Sequence, residues 1–308
     1  MTYVGRFAPS PTGPLHAGSL LAAVASYLHA RRAGGEWLLR IDDIDPPRES
    51  PGAPAAIQSV LESLDLYWDR PVLFQSARTS LYEAVAERLL ADGKAFLCSC
   101  SRSELRARAE QTGTSHGGDE SLESRAYSGT CRNRRSHTGP TAIRMRVDGH
   151  GLKSMPADAL QGPIPPTALD AQGDYVIRRR DGLPAYHLAT VIDDALQGVT
   201  TIVRGIDLLE AAAVQHHLQH ALRLPTPAYF HIPVLVDPSG CKLSKQTGAA
   251  AIDLTTPSRT AAAILTHLGA SPPPELQGAP PRELWHWATE TWQIERLAGI
   301  TKIAHGKD

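Results

Sequence analysis

Four groups of residues have types and spacings that support chemistry. His16-Ala17-Gly18-Ser19 sits where a strand, a proline-stiffened loop and a helix start meet. Such a mouth attracts anions, because free backbone amides and the helix dipole point at the ligand. Asp42-Asp43-Ile44-Asp45 follows a short apolar run, at the carboxyl end of a strand. Ligands of open α/β sheets bind at that end. Lys242-Leu243-Ser244-Lys245 comes directly after the turn Asp237-Pro238-Ser239-Gly240 and carries two ammonium groups. Taken alone, that pair is an ordinary solvated turn. Cys98-Ser99-Cys100 and Tyr127-Ser128-Gly129-Thr130-Cys131 form the fourth group. Cysteines two apart on an extended segment project to one side, and Tyr127 and Cys131 are spaced as one helical turn. Three thiolates plus one further donor suit tetrahedral zinc. On chemistry alone the further donor is His116 or His137, because a phenol must lose a proton of pKa about 10 to bind well. Cys241 stands apart and is incidental.

The elements that must position these groups follow from the pattern. Tyr3 to Ala8 holds β-formers. Pro9, Pro11 and Pro14 stop either regular element, and Gly13 permits a sharp turn. Ser19 is the expected cap of a helix running to about Ala33, with Leu20, Leu21, Val24, Ala25 and Leu28 on one side and Gly34 as terminator. Glu36 to Ile41 is a second strand, so strand, helix and strand predict a βαβ unit with a parallel sheet. Amphipathic helices are expected over Ala53 to Leu64 and Leu81 to Ala91. Strands are expected over Ala142 to Val147, from Tyr175, over Thr200 to Arg204 and over Tyr229 to Val236. Arg204 then stands at the carboxyl end of its strand, with a helix following through Leu222. Pro156 to Pro166 reads as irregular. Ser258 to Ile303 reads as helical, with a break at Pro272 to Pro281.

Length and composition set the bounds. A chain of 308 residues supports a large core and more than one domain. A formal charge of −1 gives no whole-protein attraction to nucleic acid. The segment Cys98 to Arg146 differs locally, with nine arginines against five acids. Four unevenly spaced cysteines exclude a disulfide scaffold and point to a reducing compartment. No apolar run is long enough for a membrane helix, and no leader precedes the first strand. A cytoplasmic monomer is expected.

At these residues the chain resembles class I aminoacyl-tRNA synthetases of the glutamate group. His16-Ala17-Gly18-Ser19 is similar to their first signature, usually His-Ile-Gly-His. Lys242-Leu243-Ser244-Lys245-Gln246 is similar to the second, Lys-Met-Ser-Lys-Ser. Arg6 to Gly13, RFAPSPTG, and Val203-Arg204-Gly205-Ile206-Asp207-Leu208 are typical of glutamyl and glutaminyl enzymes. The resemblance covers about Tyr3 to Leu254. Any one motif is weak, whereas four in order are strong. The closer resemblance is to short members of the group, glutamyl-queuosine tRNA(Asp) synthetases. Only 62 residues follow Gln246, where full-length glutamyl enzymes carry a large helical anticodon-binding region.

The resemblance implies a Rossmann-like parallel-sheet catalytic domain with a zinc-containing insertion and a short helical C-terminal region. The expected divisions are 1–97 and 181–254 for the two catalytic halves, 98–180 for the insertion or acceptor-type subdomain, and 255–308 for the tail. It implies a ligase that activates L-glutamate with ATP and Mg2+ without needing tRNA. Glutamate then passes to the queuosine base at the wobble position of tRNA(Asp). A truncated glutamyl-tRNA synthetase charging a 3′ end, or a catalytically silent RNA-binding paralogue, are the alternatives. Implied for ATP are His16, Gly18, Ser19, Lys242, Ser244 and Lys245, with His16, Gly18 and Lys245 catalytic. Implied for glutamate are Arg6, Phe7, Ala8, Pro9, Ser10, Asp42, Tyr186 and Arg204. Arg6 and Arg204 each offer a planar fork suited to a carboxylate. The group commonly has Glu at the position of Asp42, so the reach here is one methylene shorter and Asp43 is a rival for the substrate ammonium. Implied for one structural zinc are Cys98, Cys100, Tyr127 and Cys131, with tyrosine as the unusual ligand. The arginine-rich insertion would then face tRNA phosphates.

Overall fold

Val4–Phe7 (β1) and Glu36–Ile41 (β2) are short runs that pair in parallel, Val4 opposite Glu36 and Phe7 opposite Leu39. The computed structural model describes residues 2–105, 107, 127, 129–147, 155–165, 167–243 and 251–305. Between the two strands runs Ala17–Arg32 (α1). Its cap is His16 rather than Ser19: the His16 Nδ1 accepts from the Ser19 N–H at 3.3 Å, which satisfies an amide of the first turn. Gly34 follows in the left-handed region at φ +61°, as a helix terminator does.

Ala53–Ser63 (α2) leads to Leu73–Phe74 (β3), which extends the sheet beside β2. Thr79–Ala91 (α3) follows a 3-10 turn at Gln75–Arg78 and starts two residues before the expected Leu81. Ala95–Cys98 (β4) and Ala142–Met145 (β5) pair antiparallel. Ala157–Asp158 (β6) and Gly162–Pro163 (β7) make a small hairpin inside the passage expected to be irregular. Thr167–Gln172 (α4) precedes Val176–Arg178 (β8), the third strand of the β4–β5 sheet. Tyr186–Leu196 (α5), Thr201–Gly205 (β9) and Leu209–Leu222 (α6) complete a second helix–strand–helix run.

The stretch expected as one strand, Tyr229 to Val236, is two. Ala228–Ile232 (β10) pairs with β9, and Val234–Val236 (β11) pairs elsewhere. The break falls at Pro233, which has no N–H to donate to a ladder. Pro257–His267 (α7) and Pro281–Thr291 (α8) form the helical tail. The tail ends in a strand, Lys302–Ala304 (β12), which pairs in parallel with β11, and this corrects the helical reading of its end.

The strands β3-β2-β1 and β9-β10-β6-β7 form two hydrogen-bonded groups. They meet where Val4 accepts from the Thr200 N–H at 2.9 Å and donates to the Thr200 hydroxyl at 3.0 Å. From β1 the chain proceeds outward to β2; from β9 it proceeds outward the other way to β10. The order reverses between them, and such a reversal opens a crevice at the carboxyl ends of the two strands.

Alternation along β2 feeds two cores. Trp37, Leu39 and Ile41 join a cluster with α1, α2, α7 and α8, while Leu38 joins one with α3, α5 and α6. Helices therefore cover both faces of the sheet, as its continuous apolar strands require. The tail docks on the helices that cover one face of the sheet. The Trp285 indole N–H donates to the Leu64 carbonyl at 2.6 Å, and Trp292 donates to Leu268 at 2.8 Å. Buried indoles need such acceptors.

Candidate active site

The loop after β1 is strapped to the end of β2. Pro9 accepts from the Asp42 N–H at 3.0 Å, and Pro11 accepts from Ser50 at 2.9 Å. Arg6 to Ser10 and Asp42 thereby share the mouth of the crevice. The His16 ring folds over the first turn of α1, with Nε2 3.1 Å from the Ser19 hydroxyl. A Cβ at Gly18 would lie 3.1 Å from two atoms of that ring. Glycine here therefore makes room for His16 as well as for any ligand.

The lysine-bearing loop approaches the same helix start. Leu243 donates to the Leu235 carbonyl at 2.8 Å, Ala251 bridges to His16, and Ile252 donates to the Leu15 carbonyl at 3.3 Å. The two ends of the loop are thus anchored beside His16 and Gly18. Ser244 and Lys245 lie outside the described residues. Lys242 is 45% exposed, and its Nζ donates to Asp207 at 2.5 Å.

At the β1 side the charges are buried and compensated. Arg6 Nε donates to Asp194 at 3.2 Å; Arg40 Nη1 donates to the same oxygen at 2.6 Å, and Arg40 Nε to Asp42 at 2.8 Å. Burial raises the Asp194 pKa, but Arg6 and Arg40 outweigh it and hold the carboxyl below its usual range. For Asp42 burial wins over Arg40, and its pKa is pushed up to about 6. Asp43 is placed differently. It accepts from the Ser76 N–H at 2.8 Å and the Ser76 hydroxyl at 2.6 Å, tying down the entry to α3. Asp193 is engaged in the core: its Oδ2 accepts from Gln75 at 2.9 Å and Tyr82 at 2.6 Å, and its Oδ1 forms an ion pair with Arg78 at 2.8 Å.

Arg204, 5% exposed at the end of β9, makes no ion pair with a carboxylate of the described residues, although its charge helps hold Asp194 ionised. Its Nε donates to His231 Nε2 at 2.9 Å, Nη1 to Gln215 Oε1 at 2.8 Å and Nη2 to the Leu208 carbonyl at 3.1 Å. The carboxylates that could have claimed it, Asp207 and Asp193, are bound to Lys242 and Arg78. Tyr186 opens α5 on the same side of the sheet, its half-buried ring 5.3 Å from that of His187. Burial, and then the Arg204 charge, depress His187 to about 4, so it is neutral at physiological pH.

The sulfur atoms of Cys98, Cys100 and Cys131 all lie within 4.8 Å of one another, with Cys100 and Cys131 3.6 Å apart. Residues 130–133 form a turn, not the α-helical turn that the spacing allowed. That turn brings the Tyr127 hydroxyl to the cluster, where it accepts from the Cys131 N–H at 2.8 Å. The Arg144 guanidinium stacks 4.2 Å from the centroid of the Tyr127 ring. Burial and the neighbouring thiols push Cys100 up to about 12, and burial raises Tyr127 as well. Against burial, hydrogen bonds to the Ser99 backbone and the other thiols hold Cys131 below the ordinary thiol value. Three thiols and a phenol gathered this closely fit a dication, which would favour their deprotonated forms. His116 lies outside the described residues, and His137 is not part of the sulfur cluster.

Residues 3–262 match the family described as class I tRNA synthetases (E and Q), catalytic domain. The glutamyl-Q tRNA(Asp) synthetase of Aromatoleum aromaticum is 49% identical over 292 residues, covering 95% of this chain and 89% of that protein. That of Methylococcus capsulatus is 48% identical over 306 residues, covering 99% and 96%. The chain belongs to the glutamyl-Q tRNA(Asp) synthetase branch of the class I tRNA synthetases. Among solved structures, a glutamate tRNA ligase from Elizabethkingia meningosepticum in complex with its amino acid superposes with a TM-score of 0.75 at 25% identity. The match covers 98% of this chain and 67% of the ligase.

In this synthetase, residue types and spacing pointed to the loop, the lysines and the cysteines, but not to four residues that organise the crevice. Asp194, Asp158, Gln215 and His231 are all buried. Two signals were available. Asp193-Asp194 closes an apolar run from Leu188, and His231 interrupts one in Tyr229 to Val236. A charged or imidazole side chain in such a run needs a buried partner.

Proposed function

We propose that the chain is a ligase that activates L-glutamate with ATP, without tRNA, and transfers glutamate to the queuosine base of tRNA(Asp). The near-full-length likeness to glutamyl-Q tRNA(Asp) synthetases carries this reading. Activation joins the glutamate carboxylate to the α-phosphate of ATP and expels pyrophosphate. The protein must align two anions and offset charge that grows in the transition state. His16, Gly18 and Ser19, together with Lys242, Ser244 and Lys245, take the ATP and its Mg2+. Arg6 to Ser10, Asp42, Tyr186 and Arg204 take glutamate, with Arg204 on a carboxylate and Asp42 on the ammonium. The reactants then meet across the reversal between β1 and β9.

The chain divides in this reading into catalytic halves at 1–97 and 181–254, an insertion at 98–180 and a tail at 255–308. One structural zinc is held by Cys98, Cys100, Cys131 and Tyr127. Its role is to staple the insertion, whose arginines then meet tRNA phosphates. Metal analysis of protein kept from chelators should find about one equivalent of zinc, the number one tetrahedral site takes; a metal-free protein would contradict the site. No helix among the described residues is long and apolar enough to cross a membrane. In this reading the protein works in the cytoplasm as a monomer.

The test is ATP–pyrophosphate exchange across amino acids without tRNA. Glutamate alone should support exchange. Exchange that needs tRNA favours an ordinary glutamyl-tRNA synthetase, and no exchange under either condition favours a silent paralogue.

A further inference from the structure

Three neighbouring strands bring three polar residues into one buried row. His231 on β10 stands opposite Arg204 on β9, and Tyr229 on β10 stands opposite Asp158 on β6. The His231 Nδ1 lies 2.6 Å from Asp158 Oδ2, with both side chains fully buried. The same carboxylate also accepts backbone N–H bonds from Leu160 at 3.0 Å, Gln161 at 2.9 Å and His231 at 3.1 Å. On the other side of the ring, Nε2 meets the Arg204 Nε–H at 2.9 Å.

The proton positions follow from the donor inventory. An arginine only donates, so His231 Nε2 must be the bare nitrogen. The ring proton therefore sits on Nδ1 and is given to Asp158, an acceptor-only carboxylate ringed by N–H donors. Arg204 is thus gripped at its inner nitrogen by a neutral imidazole whose orientation is set from behind. Gln215 and Leu208 add two more neutral acceptors. A carboxylate in the same place would have gripped as firmly but cancelled the charge.

We propose that His231, oriented by Asp158, is a positioning residue for substrate binding: it fixes the Arg204 fork through a neutral acceptor, so that a substrate carboxylate meets a preoriented guanidinium whose hydrogen-bond partners are all neutral. This rests on Arg204 being a glutamate ligand. Preorganising the fork lowers the ordering cost of binding, so the effect belongs in the KM for glutamate and not in the KM for ATP.

The experiment measures pyrophosphate exchange and melting temperature for full-length His231→Gln, His231→Asn, Asp158→Asn and Arg204→Ala. Glutamine places its amide where Nε2 was and keeps an acceptor for Arg204. Asparagine reaches Asp158 but not Arg204. The expected results are about a tenfold rise in the glutamate KM for His231→Asn and Asp158→Asn, and a rise of no more than about threefold for His231→Gln. The ATP KM should stay within about twofold throughout. Equal glutamate KM values for His231→Gln and His231→Asn, or parallel changes in both substrates, overturn the proposal. So does a failure of both His231 variants to fold, which would make the row purely structural. If Arg204→Ala leaves the glutamate KM unchanged, the underlying assignment of Arg204 fails instead. If Arg204→Ala raises it and His231→Asn does not, only the positioning role fails.

Discussion

Arg6 and Arg204 stand near the carboxyl ends of strands that flank the same crevice, yet their surroundings are opposite. Arg6 shares Asp194 with Arg40, and Arg40 also holds Asp42. Arg204 is held by an imidazole, an amide and a backbone carbonyl. Burying a charge demands partners in either case. Where the partners are carboxylates, the pairs tie two strands and a helix together. Where they are neutral acceptors, the charge stays available to a ligand. One side of the crevice therefore carries an ion-pair network among β1, β2 and α5, and the other a guanidinium held by neutral acceptors.

Arg40→Ala tests that contrast most severely. It leaves Asp42 and Asp194 buried without their shared partner, and denaturant unfolding should show a loss of about 3–5 kcal/mol. A loss below about 1 kcal/mol would mean that the ion-pair network is not structural. Arg204→Ala should instead act on substrate. The kcat/KM for glutamate should fall about 100-fold, or about 2.7 kcal/mol, with a smaller change in unfolding free energy than Arg40→Ala. The reverse ranking would dissolve the distinction between the two sides.

The pH profile adds a third probe. Asp42 must be ionised to meet an ammonium, and burial holds its pKa at about 6. The competent fraction therefore falls as pH drops through 6, and kcat/KM for glutamate should fall about tenfold per unit below that point. His187 stays neutral across this window, because its pKa is about 4. A profile flat down to pH 5 would remove Asp42 from the ammonium role. The smallest effect is expected at Lys242, whose pair with Asp207 is exposed. Lys242→Ala should change stability by no more than about 0.5 kcal/mol, and a larger loss by thermal unfolding would make that pair structural.

The parts of the molecule legible in the sequence are those built from local signals. The limits of β2 are the expected ones, because Glu36–Ile41 is a near-continuous apolar run between Gly35 and an acidic turn. The loop from Pro9 to Pro14 is marked by its prolines. The cap of α1 departs from the expected Ser19, because an imidazole three residues earlier takes the first-turn amide. Pro233 was visible but its consequence was not, since the destination of β11 is a strand more than 60 residues later. The Asp158–His231–Arg204 row was out of reach for the same reason. Its links span 73 and 27 residues, and strand order, not spacing, aligns them. The sulfur cluster is legible from the spacing of Cys98, Cys100 and Cys131, whereas donor chemistry alone favours a histidine as the further donor and only the resemblance points to Tyr127, whose hydroxyl accepts the Cys131 N–H.

The most direct measurement of the whole account uses labelled glutamate, ATP and two altered forms of tRNA(Asp). One lacks its 3′-terminal adenosine and the other lacks queuosine. Full transfer to the shortened tRNA and none to the queuosine-free tRNA is expected. Transfer that depends on the terminal adenosine and ignores queuosine would contradict it.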